Sequence, residues 1–201
     1  MLKLKKIIKE IWRYPLCLYM RTKLKNQTFS IISSNCIGGI LSHDLGQQFR
    51  SPTINLTVDN FSLFIKDLKS YLDMPLEDAG TNNRNEPVGK LGSVVITGVH
   101  YKDFQSLKNA WERRCMRINF DNIYIIATDL ELKPFEYSCF DKLPYPKVCF
   151  TSQKKPDYEW MCFCPEFAGR PHVGDTLRYT NIWGVRIFEK NFNCVQWLNK
   201  K

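Results

Sequence analysis

The chain has 201 residues, 44% of them hydrophobic and 24% charged, which is room for one substantial globular domain and excludes a disordered chain. The net charge of +9 is uneven: residues 1–25 carry eight Lys and Arg against one acid, Glu10, a surplus of +7 that leaves only +2 for the rest. A nucleic-acid binder concentrates basic charge on the folded body, so this distribution points to an anionic membrane or an acidic protein and away from nucleic acid.

Residues 1–26 read as a basic amphipathic arm and 27–201 as a single domain. In the arm Leu4, Ile7, Ile8, Ile11 and Trp12 recur at helical spacing, with lysines on the other face. Pro15 is expected to kink or end that helix. Either the apolar stripe packs on the domain and leaves a solvated basic side, or the helix rests on anionic lipid.

After the arm, Thr28 to Ser33 reads as a strand, Ser34-Asn35-Cys36-Ile37-Gly38-Gly39 as a small-residue turn, and the next residues as a helix ending near Gly46. A short extended piece, Thr53 to Leu56, follows. Asp59 is placed to cap a helix whose stripe is Phe61, Phe64, Ile65, Leu68, Tyr71 and Leu72. Met74 to Leu91 reads as a long loop or short hairpin. Then come a strand at Ser93–Val99, a helix marked by Phe104, Leu107, Trp111 and Cys115, and a nearly continuous apolar strand from Asn122 to Thr128. Val148 to Thr151 and Trp160 to Cys164 are further strands, and one helix over Arg186–Leu198 closes the chain. The alternation predicts an α/β fold, a mainly parallel sheet with helices on both faces.

The eight cysteines include no CxxC pair, and several lie in apolar runs. They read as reduced thiols of a cytoplasmic protein. No run approaches the roughly 20 apolar residues that span a bilayer.

Ligands of parallel sheets collect at the carboxyl ends of the strands. That rule selects Ser34 to Gly39, His100, Asp129 and Thr151-Ser152. The turn at Ser34, Asn35, Cys36, Gly38 and Gly39 opens a helix, whose free N–H groups suit an anion. Cys36 at that helix start is a candidate nucleophile. Asp129 and Glu131, two carboxylates spaced i, i+2 after the most buried strand, suit a divalent cation bridging a nucleotide diphosphate. Arg50 and Arg114 are candidates to clamp phosphate or carboxylate.

Several segments also resemble a bacterial family built on a domain of unknown function, whose members are often described as exopolysaccharide or capsular-polysaccharide biosynthesis proteins. The resemblance lies in Ser34 to Gly39, His43-Asp44-Leu45-Gly46, Phe49 to Asn55, Arg114 to Asn119, Ala127-Thr128-Asp129, Phe140 to Tyr145 and Val148 to Thr151. It is expected to span residues 27–199 and to leave the arm outside. Where the family has an Asp-Arg-Asp-like segment, this chain has Asp129-Leu130-Glu131. The resemblance implies a part in cell-surface glycan assembly.

Joined to the residues above, it gives a sugar transferase. A nucleotide sugar would lie against Ser34–Gly39 with Arg50, Asn55 and Arg114 as further ligand-binding residues. Asp129 and Glu131 would hold magnesium or manganese, and His43, His100 or Asp141 would serve as base. The arm would bring the domain to the inner membrane face, where lipid-linked glycan acceptors are found. The alternative is a non-catalytic accessory protein of a polysaccharide assembly complex.

Overall fold

The computed structural model describes residues 2–155 and 157–200, with side chains from residue 10 onward. The elements in chain order are α1 (Leu2–Lys23), β1 (Ser30–Ser33), α2 (Ile37–Asp44), β2 (Thr57–Val58), α3 (Phe61–Lys66), α4 (Leu68–Asp73), β3 (Glu77–Thr81), β4 (Pro87–Leu91) and β5 (Val94–Thr97). They continue with α5 (Phe104–Cys115), β6 (Ile123–Thr128), α6 (Tyr137–Asp141), β7 (Lys147–Thr151), β8 (Met161–Phe163), α7 (Ile187–Asn191) and α8 (Cys194–Leu198).

There are two sheets, not one. The first has the order β1-β6-β7-β8 with every pair parallel. The second has the order β2-β5-β4-β3 and is antiparallel. The expectation of a mainly parallel sheet therefore holds for half of the strands. Short links impose the rest. Between β4 and β5 the chain has only Gly92 and Ser93, with Gly92 at φ +56°. So short a link can join only antiparallel neighbours, and its turn needs a residue that accepts positive φ. The β3–β4 link is held by Asn82, whose Oδ1 accepts from the N–H groups of Arg84 (2.9 Å) and Glu86 (3.0 Å).

β6 is the strand the sequence reads most plainly. All six of its residues are buried, because it pairs on both edges and is covered on both faces. Alternate side chains enter two cores. Ile32, Ile125, Ala127 and Cys149 face α3, α5, α6 and the antiparallel sheet. Ile31, Tyr124, Ile126, Val148 and Phe150 face α2 and the C-terminal helices. Helices thus lie on both faces of the parallel sheet.

Local chemistry explains most element ends. Asp103 opens α5 by accepting from Ser106 N–H at 2.7 Å, with the Ser106 hydroxyl returning toward the Asp103 backbone. The stripe Phe61, Phe64, Ile65, Leu68 and Tyr71 is buried as its spacing predicts, but Asp67 divides it into α3 and α4. Asn60, at φ +53°, precedes α3 in place of the expected Asp59. The closing helix is likewise two helices. The Asn193 side chain accepts from Gln196 N–H at 3.0 Å, which caps α8 and ends continuity with α7. Thr53 belongs to a turn and not to a strand; its Oγ1 accepts from Ser33 N–H at 3.0 Å and so satisfies part of the edge of β1 that pairs with no strand.

The arm differs most from expectation. α1 runs through Pro15 to Lys23. Pro15 cannot donate to Ile11, but both residues lie on the exposed side, and packing of the opposite side holds the helix together. That opposite side carries Arg13, Cys17 and, just beyond the helix, Leu24, all buried. Arg13 is only 2% exposed. Its guanidinium donates to Asp44 of α2 at 2.7 and 3.2 Å and to Glu189 of α7 at 2.9 Å. It also donates to the carbonyl of Gly184, and Arg186 donates to Asp44. The arm's second half is therefore integral to the packed body.

Burial works against the Arg13 charge, but Glu189 and Asp44 more than reverse it and hold the pKa above the ordinary arginine value. Burial likewise pushes the Asp44 carboxyl up, but Arg186 and Arg13 hold it below the usual carboxylate range. Removing one partner of such a network strands the others in a medium of low polarity.

Arg13→Ala is expected to destabilise the fold by about 3–5 kcal/mol, read as a lowered midpoint in chemical denaturation. A carboxylate held low in the folded state stabilises it above its ordinary pKa of about 3.9 and loses that contribution as pH falls toward the folded value. Stability is therefore expected to drop below about pH 4, with a shallower drop in Asp44→Asn once the difference at neutral pH is subtracted. Gly38 gives a third test. A Cβ there would stand 2.8 Å from Ser33 Cβ and 2.9 Å from Ile31 Cγ2, so α2 packs on β1 only because that position is glycine. Gly38→Ala is expected to cost about 1–3 kcal/mol in the same denaturation experiment.

Candidate functional site

The carboxyl ends of β1, β6 and β7 lie side by side, and the residues that follow them form a polar edge. After β1 come Ser34 and Asn35. After β6 the chain makes a tight turn in which Glu131 N–H and Leu132 N–H both donate to Thr128 O, at 3.2 and 2.9 Å. After β7 comes Ser152.

Glu131 reaches toward β1. Its Oε2 accepts from Ser34 Oγ at 3.3 Å, from Asn35 Nδ2 at 3.4 Å and from the Thr128 hydroxyl. All three donors are neutral. Burial raises the Glu131 pKa above the ordinary value, and the hydroxyl and amide hydrogen bonds offset only part of the rise. Asn35 also accepts from Ile37 N–H at 3.0 Å, so it ties the start of α2 to the same carboxyl.

Asp129 turns the other way. Its Oδ2 accepts from Ser152 N–H at 2.8 Å and Ser152 Oγ at 3.1 Å, and its Oδ1 from Val173 N–H at 2.7 Å. The i, i+2 spacing thus sends the two carboxylates to opposite neighbours, one joining β6 to β1 and the other joining β6 to β7. Hydrogen-bond donors occupy both Asp129 oxygens and the inward oxygen of Glu131. As arranged, the pair does not fit a shared magnesium or manganese ion. Among the described residues no three His, Cys, Asp or Glu side chains converge as a metal site.

Beside Asp129 lies a small hollow of about 100 Å³, bordered also by Tyr137, Thr151, Gln153 and Lys155. The Lys155 ammonium stands 4.9 Å from the centre of the Tyr137 ring. Burial is the main cause of a Tyr137 phenol pKa pushed up to about 12.

The other expected site residues are dispersed. Cys36 borders the edge, but burial, with Glu131 adding to it, pushes its thiol pKa up, the reverse of an activated nucleophile. All eight cysteines are free thiols. Gly38 and Gly39 serve packing, against β1 and against Ile54 respectively. His43 is exposed near the far end of α2, about 10 Å of helical rise from Cys36, with Nδ1 3.4 Å from Asp44 Oδ1. His100 follows β5 in the antiparallel sheet, so the strand-end rule that selected it does not apply there. Asp141 accepts from Trp160 Nε1 at 2.7 Å, at the amino ends of β7 and β8. It is thus separated from the polar edge by about 13 Å of strand.

Arg50 donates to Gln27 O at 2.9 Å, before β1. Arg114 donates to Ile54 O at 3.0 Å and to the Tyr101 hydroxyl, its guanidinium 5.9 Å from the Phe49 ring centre. It fastens α5 to the loop that leads into β2. Asn55, at φ +61°, lies with Gly39 and His43 on a separate cleft of about 530 Å³ between α1 and α2. Of the expected set, Ser34, Asn35, Cys36, Asp129 and Glu131 share the polar edge. Ser152, also selected by the strand-end rule, lies there as well, and Thr128 and Lys155 join them. Thr128 and Ser152 were legible as strand-end hydroxyls; Lys155 gave no signal above that of any surface lysine.

Comparison with known proteins agrees with a family of unknown activity. An uncharacterised protein of Haemophilus influenzae is 31% identical, over 98% of this chain and 97% of its own length. The sequence pattern of the domain of unknown function DUF1919 matches residues 7–199. That match begins inside α1, so the shared unit includes most of the arm and does not start at residue 27. The chain belongs to the DUF1919 family.

Proposed function

We propose that the protein is a group-transfer enzyme of cell-surface polysaccharide assembly. The polar edge of the parallel sheet takes a nucleotide-sugar donor, and Glu131 acts as the base. The observation that carries the chemistry is Glu131 itself. A carboxyl group held by three neutral donors, with its pKa raised by burial, is a stronger base than a free one and stands at the strand ends. The polysaccharide setting is supported by the sequence resemblance alone, since neither the matched family nor the relative carries an activity.

In the proposed step an acceptor hydroxyl oxygen bonds to the anomeric carbon as the bond from that carbon to the diphosphate breaks. The diphosphate leaves with the electron pair, and Glu131 takes the hydroxyl proton. Lys155, in the hollow beside Asp129, faces the departing negative charge. Ser34 and Asn35 keep the Glu131 carboxyl aimed. Asp129 is a positioning residue that holds the Ser152 and Val173 backbone.

Thermal stability measured against a panel of nucleotide sugars tests the reading. A true donor at about 100 times its Kd should stabilise the fold by about 2.7 kcal/mol. Transfer of that donor's sugar is then expected to fall by about 10²–10⁴-fold in Glu131→Gln. A group whose folded pKa is raised favours the fold at low pH and loses that contribution as pH rises through the folded value. Glutamine carries no charge to bury, so Glu131→Gln should be as stable as the parent at pH 7 or more so. Full activity in Glu131→Gln would remove the base. A shift that requires magnesium or manganese would restore the cation expected of Asp129 and Glu131. No shift with any nucleotide sugar would leave the accessory role.

A further inference from the structure

α1 is turned inside out relative to an ordinary surface helix. Its buried side presents Arg13, while its outward side presents Ile11 (64% exposed), Trp12, Tyr14, Leu18 and Tyr19 (61%). In the sequence, Leu4, Ile7 and Ile8 recur at the same spacing as Ile11 and Trp12. Ile11 and Trp12, the described part of the stripe that was a candidate to pack on the domain, are thus left uncovered.

A second segment completes that face. Ile182 and Trp183 (61% exposed) precede α7, and the Trp183 ring lies 6.4 Å from that of Trp12 at 45°. The juxtaposition is built. Gly184, next to Trp183, gives its carbonyl to Arg13, adopts φ +73° and lies so near that a Cβ would be 2.9 Å from Arg13 Cβ. The buried clamp thereby seats the Trp183 loop against α1.

We propose that this face docks on an anionic membrane surface, with α1 lying in the headgroup plane and Trp183 inserted beside it. Tryptophan and tyrosine favour that depth, where an apolar ring and a polar tip are both accommodated. The charge decides between lipid and a second copy of the chain. Residues 1–25 carry +7, and still +6 when the buried, paired Arg13 is set aside, so two such helices repel each other and both are drawn to anionic headgroups. Lys23 stands with its ammonium 5.5 Å from the Tyr19 ring centre, a cation at the rim of the apolar face. No helix among the described residues is long and apolar enough to cross a membrane, so the contact is interfacial. The proposal does not depend on Glu131 or on any transfer activity.

The test is flotation of the full chain with vesicles of phosphatidylcholine alone or of equimolar phosphatidylcholine and phosphatidylglycerol. Binding to the anionic vesicles, weakened by salt and accompanied by a blue shift of tryptophan emission, is the expected result. Trp183→Ser and the double variant Ile11→Ser, Leu18→Ser should each weaken it by about tenfold or more with at most a small fall in unfolding temperature, because these side chains are 42–64% exposed. Three results overturn the proposal. One is no binding to anionic vesicles. Another is binding that all the variants retain in full, which would leave charge alone as the cause. The third is concentration-dependent dimerisation abolished by the same variants without vesicle binding, which would make the face an interface between copies.

Discussion

The rest of the structure is organised around the buried guanidinium of Arg13. A charge taken out of water is tolerated only where opposite charges and hydrogen bonds replace its hydration. Asp44 and Glu189 do so here, with Arg186 also paired to Asp44. The cluster holds two cations and two anions, so it costs little net charge while fixing the positions of three helices. α1 is placed by it, α2 is tied to the C-terminal helices through it, and the loop carrying Trp183 is shaped by it. Arg21 extends the same attachment by donating to Asp44 O at 2.8 Å.

The two carboxylates at the polar edge of the parallel sheet follow a related logic with neutral donors. Strand ends leave polar groups where the sheet stops, and each must find a partner. Asp129 meets that need on one side and Glu131 on the other. They differ in what they accept. Asp129 takes two backbone N–H groups, which fix loops, whereas Glu131 takes side-chain donors, which can reorient around a substrate. That difference separates a carboxylate that fixes backbone from one held by side chains, at two positions only two residues apart.

The sequence was most informative where one pattern had one structural solution. The apolar run of β6 can be satisfied only by burial on both faces, and the stripe of α3 and α4 only by a helix against a core. It was least informative where two solutions share a pattern. An amphipathic stripe on α1 has the same period whether it faces in or out, and the outcome turned on Asp44 and Glu189, which lie 31 and 176 residues from Arg13. β3, Glu-Asp-Ala-Gly-Thr, is exposed throughout and has no apolar alternation to betray it; pairing with β4 alone makes it a strand. His100 was misplaced for the same reason, since strand direction in the second sheet is decided by hairpin links and not by composition. Ser34, Asn35 and Glu131 were legible together because the strand-end rule depends only on finding β1 and β6.

The separation between Arg13 and Glu189 also sets an order of events during synthesis. α1 is made before both of its acidic partners, and Glu189 follows Arg13 by 176 residues. At about 5–20 residues per second, the interval between them is on the order of ten seconds or more. Throughout that time the helix has its apolar and basic surfaces but not its lock. The nascent chain thus carries α1 for that whole interval before Glu189 can close over Arg13, and completion of the clamp is a late event in folding.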